Sequence, residues 1–231
     1  MNTVAIIPSL NPDEKLMQVV TGLQAEGFTD IVLVNDGSSA QHLAPFQEAA
    51  ALPGVTVLTH EVNKGKGRAM KTAFAWCMEN RPGIDGVITM DGDNQHRPKD
   101  VLACVKAMEQ DPTKLWLGVR DFSLEHVPFR SKLGNTFTRG FMKLACGVSV
   151  SDTQTGLRAI PASLLELMCA IPGERYEYET QMLLSTRDER VDIGEVIIDT
   201  VYIDENQTSH FNPLKDSWKI YKIIFRHMFN K

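Results

Sequence analysis

Four short runs of β-branched and aliphatic residues, Val4 to Ile7, Ile31 to Val34, Val55 to Leu58 and Val87 to Met90, read as buried strands. The stretches near Asp13 to Ala25, Gly67 to Glu79 and Pro98 to Gln110 read as helices between and after them. This β-α-β succession predicts an α/β fold, with a mostly parallel central sheet covered by helices on both faces and ligands gathering at the carboxyl ends of its strands. The segments just after each strand therefore matter most. They are Pro8-Ser9-Leu10-Asn11, Asn35-Asp36-Gly37-Ser38-Ser39, Asn63-Lys64-Gly65-Lys66-Gly67 and Asp91-Gly92-Asp93-Asn94-Gln95-His96, rich in small, polar or charged residues.

From about Trp116 the order is less regular. A strand runs to Gly118, helices are expected over Ser131 to Ala145 and Glu174 to Leu184, a strand over Val196 to Ile203, and a last helix over Pro213 to Met228. A length of 231 residues suits one well-buried core rather than two. The formal net charge of −5 argues against a nucleic-acid partner. With no apolar run long enough to span a bilayer and no signal-peptide pattern before the first strand, a cytoplasmic protein is expected. Cys77, Cys104, Cys146 and Cys169 are widely spaced in apolar patterns, which predicts buried free thiols rather than a metal or disulfide set.

Asp91 and Asp93 follow the fourth strand. In extended backbone, residues two apart face the same side, so both carboxylates can meet one hard cation such as magnesium or manganese. Asp-Gly is equally a turn dipeptide. Asn63 to Ala69 joins a strand to a helix; its glycines permit close backbone approach and the helix start favours an anion, although the Gly-Lys-Ser/Thr ending of a Walker loop is missing.

The run Asp91, Asp93, Gln95, His96 at a strand end resembles the Asp-x-Asp-x-Gln-His signature of family 2 glycosyltransferases of the GT-A fold, most like the dolichyl-phosphate mannose synthase and bactoprenol glucosyltransferase group. The resemblance spans nearly the whole chain. It implies a divalent ion, Mg2+ or Mn2+, on Asp91, Asp93 and Gln95, with Pro8, Asn11, Asp36, Lys66, Asp91 and Gln95 binding the donor. Asn35 stands where the family has the first aspartate of its nucleotide loop, Ala40 where it has the last, and Pro12-Asp13 where a glutamate is usual. The nucleotide is thereby left open, with uridine diphosphate favoured by family frequency alone.

On the acceptor side, Gly118-Val119-Arg120 and Phe129-Arg130-Ser131 through Asn135 resemble the family's acceptor segments, and Asp152-Thr153-Gln154-Thr155-Gly156-Leu157-Arg158 its Asp-x-x-Ser/Thr-Gly-Phe/Leu-Arg stretch. The resemblance assigns Arg120, Arg130, Ser131, Asn135 and Arg158 to the acceptor, and Asp93, Asp152 and Arg120 to catalysis. Arginine forks match phosphate oxygens, but surface pairing of these arginines with Asp121 or Glu125 stays open. Asp152 is a general base only if the acceptor is a hydroxyl; a phosphate is already an anion, and Asp152 then orients groups or tunes charge. Glu179, in Tyr176-Glu177-Tyr178-Glu179, either reaches the site or favours a helix start.

Asn206 and His210 lie in a segment that resembles a loop closing over the donor. Beyond it, Leu214, Trp218, Tyr221, Phe225 and Met228 recur at helical spacing beside Lys215, Lys219, Lys222 and Arg226. Such a helix either lies on an anionic membrane surface or packs on the domain. The expected organisation is a catalytic domain over residues 1–212 and an amphipathic helix over 213–231. The expected activity is inverting transfer of a hexose from a nucleoside diphosphate sugar to a polyprenyl phosphate at the inner face of the plasma membrane. Transfer to a hydroxyl of a glycan, nucleotidyl transfer and non-catalytic nucleotide-sugar binding are the alternatives.

Overall fold

The computed structural model describes residues 2–122, 129–199 and 225. Its chain order is β1 (Thr3–Ser9), α1 (Lys15–Ala25), β2 (Ile31–Asp36), α2 (Ala44–Ala50), β3 (Val55–His60), α3 (Lys66–Asn80), β4 (Gly86–Thr89), α4 (Pro98–Gln110), β5 (Leu115–Arg120), α5 (Phe129–Cys146), β6 (Arg158–Pro161), α6 (Leu165–Ala170), α7 (Glu177–Asp188) and β7 (Ile193–Ile198). The seven strands form one sheet in the order β3-β2-β1-β4-β6-β5-β7. All neighbours are parallel except where β6 meets β4 and β5. The expected α/β architecture is therefore present.

Strands buried on both faces read as continuous apolar runs, and β1 shows why. Val4 and Ile6 pack with Met70, Phe74 and Tyr178 on one face; Ala5 and Ile7 pack with Leu16, Val20 and Val105 on the other. The two cores hold α3, α6 and α7 on one side and α1, α2 and α4 on the other. Pro98 occupies the first turn of α4, where its missing amide hydrogen costs nothing.

Three elements were not foreseen. Helix α2 and helix α6 are too short to show a helical period, and the four residues of β6 begin with an arginine and end with a proline, which reads as a turn. Helix α7 starts at Glu177, three residues later than expected, and β7 starts at Ile193, three residues earlier. The last helix over Pro213 to Met228 lies outside the described residues apart from Phe225. Among the described residues no helix is long and apolar enough to cross a membrane.

Cys77, Cys104 and Cys146 are buried free thiols and Cys169 is partly buried. Burial pushes the Cys77 and Cys104 thiols up to about 12, with Asp30 and Asp100 respectively adding to the effect. The thiolate is the reactive form. Native protein at pH 8 is accordingly expected to react rapidly with Ellman's reagent at no more than one thiol, Cys169, and at four after unfolding in guanidinium; fast native reaction of three or four would contradict this packing.

Candidate active site

Strand order reverses beside β1: β2 and β3 lie to one side, while β4 lies to the other. A crevice opens at such a switch point, outside the carboxyl ends of the strands. Here the switch point lies between β1, which ends at Pro8-Ser9, and β4, whose following segment carries Asp91. Antiparallel β6 completes the arrangement. Its first residue pairs with both neighbours, Thr89 opposite Arg158 and Leu117 opposite Arg158, so the chain just before it lies across the ends of β4 and β5. Thr89 Oγ1 donates to the Gly156 carbonyl at 3.2 Å and the Gly118 amide donates to the Leu157 carbonyl at 2.9 Å. This brings Asp91, Gln95, His96, Arg120 and Gly156 to one recess.

At its centre is a charged cluster. The Lys66 Nζ lies 2.7 Å from Asp91 Oδ1 and 3.0 Å from Glu179 Oε1. Burial alone would lower the Lys66 pKa, but its two carboxylates prevail and raise it. Burial pushes Asp91 upward, and the Lys66 ammonium more than offsets this and holds it below the usual carboxylate range. Among the described residues Asp93 has no such ion-pair partner: burial, and then the neighbouring Asp91, raise it to about 6. Burial drives His96 down to about 4, leaving a neutral ring whose Nδ1 is buried without a hydrogen-bond partner among the described residues.

The two aspartates do not converge by strand alternation, as expected, because residues 92–94 form a turn with Asn94 at a φ of 62°. Asp93 Oδ1 accepts the Gln95 amide at 3.1 Å within that turn. The turn and the paired carboxylates are thus one feature. Its donor set fits a divalent ion that completes its shell from a diphosphate. Burial and a crowded second carboxylate raise Asp93, a conflict that a cation relieves, and Asp91 already draws an ammonium to 2.7 Å. Among the described residues no group of three or more His, Cys, Asp or Glu suits a metal without such help.

The raised Asp93 carboxyl carries a stability cost. A group whose folded pKa exceeds its unfolded value of about 4 destabilises the fold progressively as pH rises from about 4 through about 6. In EDTA at pH 7, Asp93→Asn is expected to raise stability by about 1 kcal/mol, with the gain vanishing below pH 4. Urea melts at both pH values read this directly, and a variant less stable at pH 7 would contradict the repulsion.

Gly156 allows the cluster to close. A Cβ at this position would lie 2.5 Å from Asp91 Oδ2 and 3.2 Å from Lys66 Nζ. Gly156→Ala must push the carboxylate or the ammonium aside, and a displacement near 1 Å at such a site costs about 10^2-fold in rate. We expect that loss in kcat with a melting temperature within a few degrees of wild type; retained activity would show that the cluster tolerates displacement.

The loop over residues 63–67 is built from Asp36. Asp36 Oδ1 accepts the Lys64 amide at 2.9 Å and His60 Nδ1 lies 2.7 Å from it, while Oδ2 accepts the Gly65 amide at 2.8 Å. Asp36, expected on the donor side, uses its buried carboxylate to brace the loop. His60 is its partner across the register Asp36↔His60, a pairing that is invisible before the strands are aligned. Gly65 has a φ of 103°, and the Glu174 carbonyl comes in against it. That carbonyl also accepts the Arg68 amide at 2.9 Å, so the start of α3 is already partly capped by protein rather than open to an anion. Asn11, at a φ of 50°, donates its amide to Ser38 Oγ at 2.8 Å and accepts the Ser39 amide at 2.9 Å, tying the first two donor loops together.

On the acceptor side Asp152 is fully buried and holds Arg120 in a fork, with Nε donating at 2.7 Å and Nη2 at 3.0 Å. The Gln154 amide also donates to Asp152 Oδ1 at 3.0 Å. Two residues expected on the acceptor side are buried and bonded to backbone groups. Arg158 is fully buried, and its guanidinium donates to the carbonyls of Thr155 at 3.2 Å and Glu179 at 2.8 Å. Asn135 is likewise buried, donating to the Ser151 carbonyl at 2.8 Å and accepting the Thr153 amide at 3.1 Å. Both brace the segment before β6 through these hydrogen bonds, with their side chains closed off from solvent. The side chains of Arg130 and Ser131, and all of Asn206 and His210, lie outside the described residues.

The family description Glycosyl transferase family 2 matches residues 4–166, and the chain belongs to that family. It is 27% identical over 240 residues to UDP-N-acetylglucosamine--dolichyl-phosphate N-acetylglucosaminyltransferase of Methanococcus voltae, covering 96% of this chain and 95% of that protein. It is 26% identical to the undecaprenyl-phosphate mannosyltransferase of Micrococcus luteus, over 80% of this chain and 78% of the relative. Among solved structures, glucosyl-3-phosphoglycerate synthase from Mycobacterium tuberculosis, crystallised with Mn2+, UDP and glucosyl-3-phosphoglycerate, superposes with a TM-score of 0.70 at 16% identity, covering 99% of this chain and 79% of that one. Mannosyl-3-phosphoglycerate synthase from Rubrobacter xylanophilus gives 0.72 at 17% identity, covering 99% and 73%. Both share the GT-A fold with this protein.

Proposed function

We propose that this chain transfers a hexose, with inversion, from a nucleoside diphosphate sugar to a polyprenyl phosphate at a membrane surface. The observation that carries the reading is the Arg120–Asp152 fork. An Asp that is fully buried and already accepts three N–H groups within 3.0 Å, two from Arg120 and one from Gln154, has no oxygen poised to take a proton from a hydroxyl. An anionic acceptor needs no base. It needs a fixed cation, and Asp152 orients that cation at the recess. The acceptors named for the Methanococcus and Micrococcus relatives are lipid phosphates, which supports the same choice.

On the donor side, Asp91 and Asp93, with Gln95 beside them, would hold a divalent ion, Mg2+ or Mn2+. When bound, that ion supplies Lewis-acid stabilisation of the departing nucleoside diphosphate. Lys66 adds a second positive charge to the leaving phosphates. Asp36 and Asn11 set the loops that shape the nucleotide pocket. Arg120 presents the acceptor phosphate oxygen to the anomeric carbon from the opposite side, so positioning contributes much of the rate.

The test of this reading is a thermal-shift screen of nucleoside diphosphate sugars with Mn2+. At least one donor, UDP-glucose first among those tried, is expected to raise the melting temperature only when the metal is present. No shift with any donor, with or without metal, would overturn the proposal.

A further inference from the structure

Glu179 is not explained by the chemistry above, yet it is one of the two anions that hold Lys66. Its carboxylate comes from the first turn of α7 and meets the ammonium at 3.0 Å, against 2.7 Å for Asp91. Lys66 and Glu179 are both largely buried, their side chains 15% and 14% exposed, whereas 37% of the Asp91 side chain is open to the recess. The ammonium therefore holds Asp91 from a more deeply buried position than the carboxylate itself. A divalent ion arriving at the same carboxylate from the recess meets a like charge that shares its ligand.

We infer that Glu179 is a positioning residue which gives the Lys66 ammonium a second seat, so that the ammonium and the divalent ion compete for Asp91 until donor phosphates arrive. This rests on the reading of Asp91 and Asp93 as the metal carboxylates of a nucleotide-sugar site. In the donor-free protein the ammonium stays on Asp91 and keeps metal affinity low. Donor phosphates offer the ammonium new anionic partners, and it swings toward them about its contact with Glu179. Metal and donor then bind as one unit, each strengthening the other by the same factor. The backbone is arranged for a pivot of this kind: Arg158 fixes the Glu179 carbonyl at 2.8 Å, and Gly156 leaves the ammonium room on its remaining side.

The test is Mn2+ affinity, read by electron paramagnetic resonance of the free ion, with and without a nucleoside diphosphate. Lys66→Met is expected to tighten donor-free Mn2+ binding at least tenfold and to abolish most of the strengthening that the diphosphate gives to wild type. Glu179→Gln is expected to move the donor-free affinity the other way, about three- to tenfold weaker, because the ammonium then rests on Asp91 alone. A double variant separates this from simple loss of a negative charge: on the Lys66→Met background, Glu179→Gln should change nothing further. Circular dichroism melts establish that each variant is folded, and Lys66→Gln serves if the Met variant is not.

Donor-free Mn2+ binding that neither Lys66 variant strengthens would overturn the competition, and so would a Glu179→Gln effect that persists without Lys66. If no nucleoside diphosphate tightens Mn2+ binding in wild type, the functional reading fails. The donor-free comparison still decides whether Lys66 and the metal share Asp91.

Discussion

Replacing Asp91 by Asn is expected to lower kcat about 10^3-fold, a loss of about 4 kcal/mol of transition-state stabilisation, while leaving the protein folded. The size follows from the double duty of this carboxylate. It is placed to hold a cation with Asp93, and it orients Lys66, so one substitution weakens both positive charges that would face the leaving diphosphate. The fold survives because 37% of the side chain is open to the recess and because Lys66 keeps Glu179 at 3.0 Å. Steady-state rates at saturating donor, beside a circular-dichroism melt, separate the two effects. A variant that loses less than tenfold in kcat would remove Asp91 from the centre of the chemistry.

Asp152→Asn is the second large effect, and it discriminates between acceptors. Removing one partner of a buried ion pair costs about 3–5 kcal/mol in stability, and Asn, retaining shape and one acceptor oxygen, should fall at the lower end. Arg120 keeps its place less firmly, so kcat/KM for a polyprenyl phosphate is expected to fall about 10- to 100-fold, mostly through KM, with donor affinity unchanged. Near-total loss of kcat with intact donor and acceptor binding would instead mark Asp152 as the base for a hydroxyl acceptor. Urea unfolding and acceptor titrations on the same preparation read both quantities.

The donor half of the site was largely legible in the sequence because each of its loops follows a strand that announces itself. Val4 to Ile7 and Val87 to Met90 are buried on both faces, and a run of that kind fixes where the next polar segment emerges. The acceptor half was harder to read. Its geometry depends on β6, whose four residues carry no readable pattern, and on the antiparallel turn-back that lays Gly156 against Asp91. Without that strand, Arg158 and Asn135 look like ligands, since a motif records which residues are present and not which way they face. The same limit hid the pairing of His60 with Asp36 and of Glu179 with Lys66, contacts that link segments far apart in the chain.

The buried polar residues around the site share a physical theme. Asp36, Asn135 and Arg158 each bring a polar or charged group into the interior, and each is surrounded by backbone partners that offset the loss of water. Such residues hold loops in register with one another. Asp91 and Arg120 differ: they face the recess, and around Asp91 and its neighbour Asp93 the ionisation is perturbed by charges that a substrate or metal would rearrange.

The most direct measurement of the central claim is to follow a radiolabelled sugar from its nucleoside diphosphate into a polyprenyl phosphate presented in vesicles, identifying both products. The account predicts label in an organic-extractable lipid from which mild acid frees the sugar, one nucleoside diphosphate released per sugar transferred, and dependence on Mn2+ or Mg2+ and on Asp91. Release of pyrophosphate, or label entering only a base-requiring glycan hydroxyl while the lipid phosphate stays untouched, would contradict it.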